Sequence, residues 1–214
     1  MPCPKQTVKQ LAVWGPALLL GLLAATNTSA QDSFEGIIHY EISVESKSDR
    51  VTKEYLVSAY GTRQSIYFQA GNLRTEYHNS GSYEIFRSSD NKQYAWLAKK
   101  QKLEVFDAAE EQRQLASFKV VESDEVILGR PTKLIEIEYE DGSSSKYWFD
   151  SSLYINPEPF MHFRFAFQNR YWEVAQAPYL KHVKTNVDSV ITYTATKIER
   201  RLLDSQLFAV PRSE

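Results

Sequence analysis

In the stretch "IEIEYE" the carboxylates Glu136, Glu138 and Glu140 occupy alternate positions, so an extended backbone places all of them on one face. Residues two apart on a strand fall within the range of about 5–10 Å at which a carboxylate pair can act on a glycosidic bond. The same alternation describes a solvated outer face with Lys146 as cross-strand partner, and that is the expected role. A hydrolase is the lesser alternative, since it needs two of these acids to converge with His162 or Arg164 in one cleft. The four histidines, His39, His78, His162 and His182, are far apart in sequence, and none forms a close metal-ligand pair. "DGSSSK" lacks the second glycine of a phosphate-cradling loop, and no G-x-S-x-G turn occurs. The expectation is a protein with no catalytic residues, no metal and no cofactor.

The aromatic residues offer a different kind of site. In "FMHFRFAF", Phe160 to Phe167, alternation puts Phe163, Phe165 and Phe167 on one side and His162 and Arg164 on the other, the period of a half-buried strand. Each ring is worth roughly 1.5–3 kcal/mol when removed from water, so the row must be covered, either as ordinary core or as the wall of a pocket. Pro157 and Pro159 cannot donate ladder hydrogen bonds. The spacing therefore predicts a rim loop over 156–162, with the phenylalanines facing inward and His162 and Arg164 facing solvent.

What surrounds these residues follows from composition and pattern. Residues 1–30 show the three-part layout of a secretory signal peptide: Lys5 and Lys9, the apolar run "LAVWGPALLLGLLAA", then Thr28-Ser29-Ala30. The apolar run is shorter than the roughly 20 residues of a membrane helix. Cleavage after Ala30 is expected, leaving 31–214 as a single exported domain, in the periplasm, with no membrane span. The only cysteine is Cys3, within the leader, so disulfides, thiol chemistry and lipidation of a new N-terminal cysteine are excluded. Losing two lysines takes the formal charge from −2 to −4, which disfavours nucleic acid as a partner. A monomer is expected.

Of 4 Trp, 13 Tyr and 11 Phe, only Trp14 lies in the leader, and this enrichment favours strands. "FEGIIHYEISV" sets Phe34, Ile38, Tyr40, Ile42 and Val44 on one face; "LRTEYH" sets Leu73, Thr75 and Tyr77 opposite Arg74, Glu76 and His78. Further strands are expected at 83–88, 92–98, 102–106, 117–122, 133–140, 145–150, 171–176, 180–186 and 189–199, separated by turn residues. One helix is predicted in "SDRVTKEYLVSAYG", N-capped by Ser48 or Asp49 and closed by Gly61, and a second in "DAAEEQRQLA" from Asp107. For the hairpin at 133–150, an odd loop centred on Gly142 pairs Ile137 with Tyr147, Ile135 with Phe149 and Glu138 with Lys146. It sends Trp148 to the face opposite Ile135 and Ile137, so both faces carry aromatic surface, as in a curved sheet wrapped around a plug or ligand.

The order "VILGRPTKLIEIEYEDGSSSKYWFD", "INPEPF", "APYLKHVKT" and "ATKIERRLLDSQLFAVP", with "FEGIIHYEI" and "IYFQAGNLRTEY" before it, resembles exported bacterial proteins of the LolA-like superfamily, the lipoprotein-carrier fold. The likeness spans most of 34–211 and is nearest to members from Bacteroidetes-type bacteria. Where such relatives often have a cysteine after "ILG", this chain has Arg130-Pro131-Thr132. The resemblance implies a mainly β fold: a strongly curved antiparallel sheet, an unclosed half-barrel, covered by one or more short helices over an apolar cavity. The function then expected is a periplasmic binding protein that holds a lipid, an acyl chain or another apolar small molecule without catalysis. Trp96, Trp148, Phe163, Phe165, Phe167, Trp172 and Tyr193 are the candidate cavity lining. The alternative is a cell-envelope structural or interaction protein in which these rings are packed core; the volume of the cavity separates the two.

Overall fold

The computed structural model describes residues 32–210; the leader assigned to 1–30 lies outside the described residues. Eleven strands form one sheet: β1 (Gly36–Ser46), β2 (Arg63–Gln69), β3 (Asn72–Tyr77), β4 (Ser82–Arg87), β5 (Lys92–Leu97), β6 (Lys102–Asp107), β7 (Leu115–Ile127), β8 (Arg130–Tyr139), β9 (Ser144–Phe149), β10 (Tyr179–Thr185) and β11 (Ser189–Arg200). Their order is β6-β5-β4-β3-β2-β1-β11-β10-β9-β8-β7, with every neighbouring pair antiparallel. The chain folds as two meanders joined by the β1–β11 ladder, and β6 and β7 remain as edges, so the sheet is unclosed. The predicted fold class is thus the observed one.

Curvature follows from the inward residues. Strands β5 and β8 are eight places apart, about 38 Å along a flat sheet at about 4.8 Å per strand. Yet Gln93 of β5 and Tyr139 of β8 line one cavity. The inner face is packed with Ile38, Tyr40, Ile42, Ile135, Ile137, Tyr147, Phe149, Leu180 and Ile191, all buried.

Among the described residues there are two α-helices, α1 (Lys53–Tyr60) and α2 (Gln168–Ala175). Helix α1 lies where the sequence predicts but starts later. Thr52, not Ser48 or Asp49, is the N-cap, its hydroxyl accepting the Tyr55 N–H at 3.1 Å. Ser48 is unavailable because its hydroxyl donates to Asp188 at 2.6 Å, tying this turn to the one before β11. Thr52→Ala should lower stability by about 1 kcal/mol, read from the urea midpoint.

Other expectations fail for reasons visible in the backbone. The helix from Asp107 does not form. Ala108 donates its N–H to Asn91 O (3.0 Å), and its carbonyl accepts from the N–H groups of Arg164 (2.7 Å) and Phe165 (3.2 Å), so this segment spends its polar groups on neighbours. The strand expected at 171–176 is part of α2, whose buried face is Tyr171, Trp172 and Ala175, a helical spacing.

The strand read in "FMHFRFAF" is also absent. Glu158–Phe160 and Phe165–Phe167 are 3-10 turns, and the bonds Phe163 N–H to Phe160 O (3.0 Å) and Asn169 N–H to Phe163 O (2.6 Å) replace a ladder. Ala166 and Phe167 both adopt left-handed backbone, φ 48° and 57°, which reverses the chain into α2. The predicted exposures hold in part: Phe163 and Phe167 are buried, Phe165 is half-buried and His162 and Arg164 are exposed, but Ala166 and Gln168, which alternation puts on the side of His162, turn inward with Phe165.

The hairpin between β8 and β9 keeps the predicted faces in a register two residues away. Ile135 pairs with Tyr147, Ile137 with Ser145 and Glu136 with Lys146. The Gly142 N–H bonds to Tyr139 O at 3.0 Å, and Gly142 has φ 77°. Glycine here is the left-handed last residue of a three-residue loop, not its apex.

Candidate functional site

The inner face and the segment 163–172 enclose a cavity of about 390 Å³. Its walls come from β2 to β5 on one arm and from β8 to β11 on the other, and the cap comes from Phe163, Phe165, Ala166, Gln168 and Trp172. The cap is docked through rings. Phe163 stacks on Phe86 with centroids 4.2 Å apart and planes 5° from parallel, and Phe160 stacks on Trp172 at 4.3 Å and 18°.

Four of the seven predicted lining residues, Phe163, Phe165, Trp172 and Tyr193, face this cavity. Phe167 packs beside it against Tyr139, at 6.0 Å. Trp96 and Trp148 lie on the other face. In β5, Gln93 points into the cavity, so alternation turns Trp96 outward beside its cross-strand neighbours Tyr83 and Leu103. In β9, Ser145 and Tyr147 point inward and Trp148 points outward, where the Lys181 ammonium lies 4.7 Å from its ring centre.

The lining is more polar than expected, because Gln64, Glu84, Gln93, Arg113, His182 and Lys184 also face inward. Sequence reading passed over these residues. A signal was present in strand parity: Glu84 shares a face with Phe86, and Lys184 with His182, so charged residues sit where a plain core would have none. Glu84 accepts from Gln93 Nε2 at 2.9 Å, and burial pushes its carboxyl up against the opposing hydrogen bonds from Tyr77 and Gln93. Burial lowers the Lys184 ammonium, and the nearby Arg113 lowers it further. His182 is stacked between Tyr147 (4.1 Å, 12°) and Tyr193 (5.5 Å, 16°). Burial, reinforced by Lys184, depresses its pKa to about 3, so the imidazole is neutral at physiological pH. Among the described residues, two buried atoms of the lining have no hydrogen-bond partner, Trp172 Nε1 and Gln93 Oε1.

A second polar cluster, away from the cavity, links residues that are distant in sequence. Ser65 Oγ lies 2.8 Å from His39 Nδ1 and 2.7 Å from His78 Nε2, and His39 Nε2 lies 3.0 Å from Glu199. His78 can donate to Ser65, Ser65 to His39 and His39 to Glu199, a relay that links three strands through one hydroxyl. Ser65 is fully buried, so its hydroxyl joins strands and is closed to an incoming substrate. The Glu136–Glu138 face is likewise engaged: Lys146 donates to Glu136, and Ser117 donates to Glu138 at 2.9 Å. Among the described residues, no group of His, Cys, Asp and Glu could hold a metal ion, and no helix is long and apolar enough to cross a membrane.

Fold and site together define an open antiparallel half-barrel with a helix-and-turn cap over an internal cavity. Solved structures similar to it include the following two. Lipoprotein LppX of Mycobacterium tuberculosis matches at 11% identity and a TM-score of 0.35, covering 79% of this chain and 89% of its own. A LolA superfamily protein from Nitrosomonas europaea matches at 9% identity and a TM-score of 0.37, covering 84% of this chain and 91% of its own. No protein-family model and no curated protein matches the sequence.

Proposed function

We propose that this chain is an exported binding protein that holds a lipid, an acyl chain or a similar largely apolar molecule in the half-barrel cavity, without catalysis, after removal of residues 1–30. The observation that carries this reading is the cavity itself. Its volume of about 390 Å³ falls within the roughly 300–1,000 Å³ of ligand pockets, and Phe68, Phe86, Phe163, Phe165 and Trp172 form much of its wall. A core filled by its own side chains, as a purely structural envelope protein would have, leaves few voids larger than a water molecule.

The reading is tested by thermal unfolding of the mature chain with a panel of C10–C18 acyl compounds. A ligand at 100 times its Kd should add about 2.7 kcal/mol of stability, a shift of several degrees. No shift with any acyl compound contradicts it. Phe165→Ala separates wall from core, because this half-buried ring faces the cavity. It should weaken retention several-fold while costing less than the roughly 3–5 kcal/mol of a fully packed phenylalanine.

A further inference from the structure

The charges inside the cavity do not balance. The whole chain is formally −2, yet the lining holds two cations, Lys184 and Arg113, against one carboxylate, Glu84. Burial raises the cost of the Lys184 ammonium, the nearby Arg113 guanidinium adds to it, and Glu84 offsets part of it. Among the described residues, the Lys184 ammonium makes no ion pair within 4.0 Å and no hydrogen bond, and Glu84 is the carboxylate that attracts it from farther away. Arg113 is held by the Ser143 hydroxyl at 2.8 Å and by the Tyr139 ring, 4.9 Å from its guanidinium, with Asp141 only at 4.0 Å. Glu84 is near enough to attract Lys184 and offsets part of this charge, but its hydrogen bond comes from Gln93 and burial pushes its carboxyl up, so one carboxyl faces two cations.

A part-buried ammonium with no hydrogen-bond partner, in a cavity with aromatic walls, gains a partner when an anion enters with the ligand. We propose that the cavity takes an anionic amphiphile, its carboxylate or phosphate head on Lys184 and Arg113 and its apolar body against Phe86, Phe163 and Trp172. This rests on the binding function proposed above and narrows it to acidic ligands. A neutral acyl chain fits the aromatic wall equally well but leaves the Lys184 ammonium without a hydrogen-bond partner.

The test compares dodecanoate, dodecyl phosphate and neutral methyl dodecanoate on the mature chain at pH 7.5, by displacement of a fluorescent apolar probe. At least one anion should bind ten-fold or more tightly than the ester, and the two anions distinguish a carboxylate head from a phosphate. Lys184→Met should bring the preferred anion to within about two-fold of the ester, while Lys184→Arg keeps the preference. Unfolding temperatures of both variants confirm that they fold, and Lys184→Gln replaces Lys184→Met if the latter does not. Equal binding of anions and ester by the unmodified chain, or a preference that survives loss of the ammonium, overturns the proposal while leaving the binding function intact. Binding of none of the three overturns both.

Discussion

Phe160→Ala is expected to lower stability by about 3–5 kcal/mol, the cost of a buried phenylalanine whose site cannot collapse. Phe160 is 1% exposed and stacks on Trp172 of α2 on one side and on Phe86 of β4, at 5.7 Å and 28°, on the other. Phe86 in turn stacks on Phe163, so one ring joins the cap to the sheet through both of its neighbours. Aromatic pairs add about 0.5–1.5 kcal/mol beyond the area they bury, which places this residue toward the upper part of the range. Urea unfolding gives the number directly. Phe160→Leu, which keeps apolar volume, should cost less than half as much, and a loss below 1 kcal/mol for the alanine variant would mean that the cap is not docked through this ring.

His182→Phe is expected to remove a large part of the acid sensitivity of the fold. In the unfolded chain the imidazole takes up a proton near pH 6.5, whereas in the folded protein it does so only near 3. Between those values the unfolded state binds the extra proton, so this group's contribution to stability is fully present above pH 6.5 and is lost as pH falls toward 3. The slope is about 1.4 kcal/mol per pH unit, or about 2–3 kcal/mol between pH 6 and pH 4. The groups that face the ring are the hydroxyl of Ser145 at 3.3 Å, the rings of Tyr147, Tyr179 and Tyr193, and the ammonium of Lys184. Glu84 works in the opposite sense, because its raised carboxyl pKa favours the fold as pH falls. The variant is therefore compared with the unmodified chain at each pH. Phenylalanine keeps the stack on Tyr147, and the unmodified chain should lose about 2–3 kcal/mol relative to the variant between pH 6 and pH 4. Parallel curves would show that the imidazole titrates normally.

Much of the architecture was legible in the sequence because period-two alternation reports which face is buried, whatever the strand's partners. The rows Ile38, Tyr40, Ile42 and Leu73, Thr75, Tyr77 point where alternation places them, and four of the seven proposed lining rings face the cavity. Alternation fails where non-local bonds decide the backbone. "FMHFRFAF" has the period of a strand, but the Ala108 carbonyl takes its N–H groups and left-handed Ala166 and Phe167 turn it into a cap. The hairpin register slipped by two because parity alone does not locate the left-handed position that Gly142 occupies. Trp96 and Trp148 face away from the cavity because strand parity, not aromatic size, sets the direction of a side chain. The charged wall follows from the same parity, since Glu84, His182 and Lys184 alternate in step with residues already assigned to the inner face. The link between Ser65, His39 and His78 depends on the β1–β2–β3 pairing and has no local signature.

The most direct test of ligand binding is native mass spectrometry of the protein, purified without detergent and sprayed under gentle conditions. A one-to-one adduct in the mass range of a lipid or long-chain acid, reduced in Phe165→Ala and released on unfolding, is the predicted result. A single bare species, whose stability no acyl compound raises, would contradict the account and make the aromatic rings part of a core that serves only the fold.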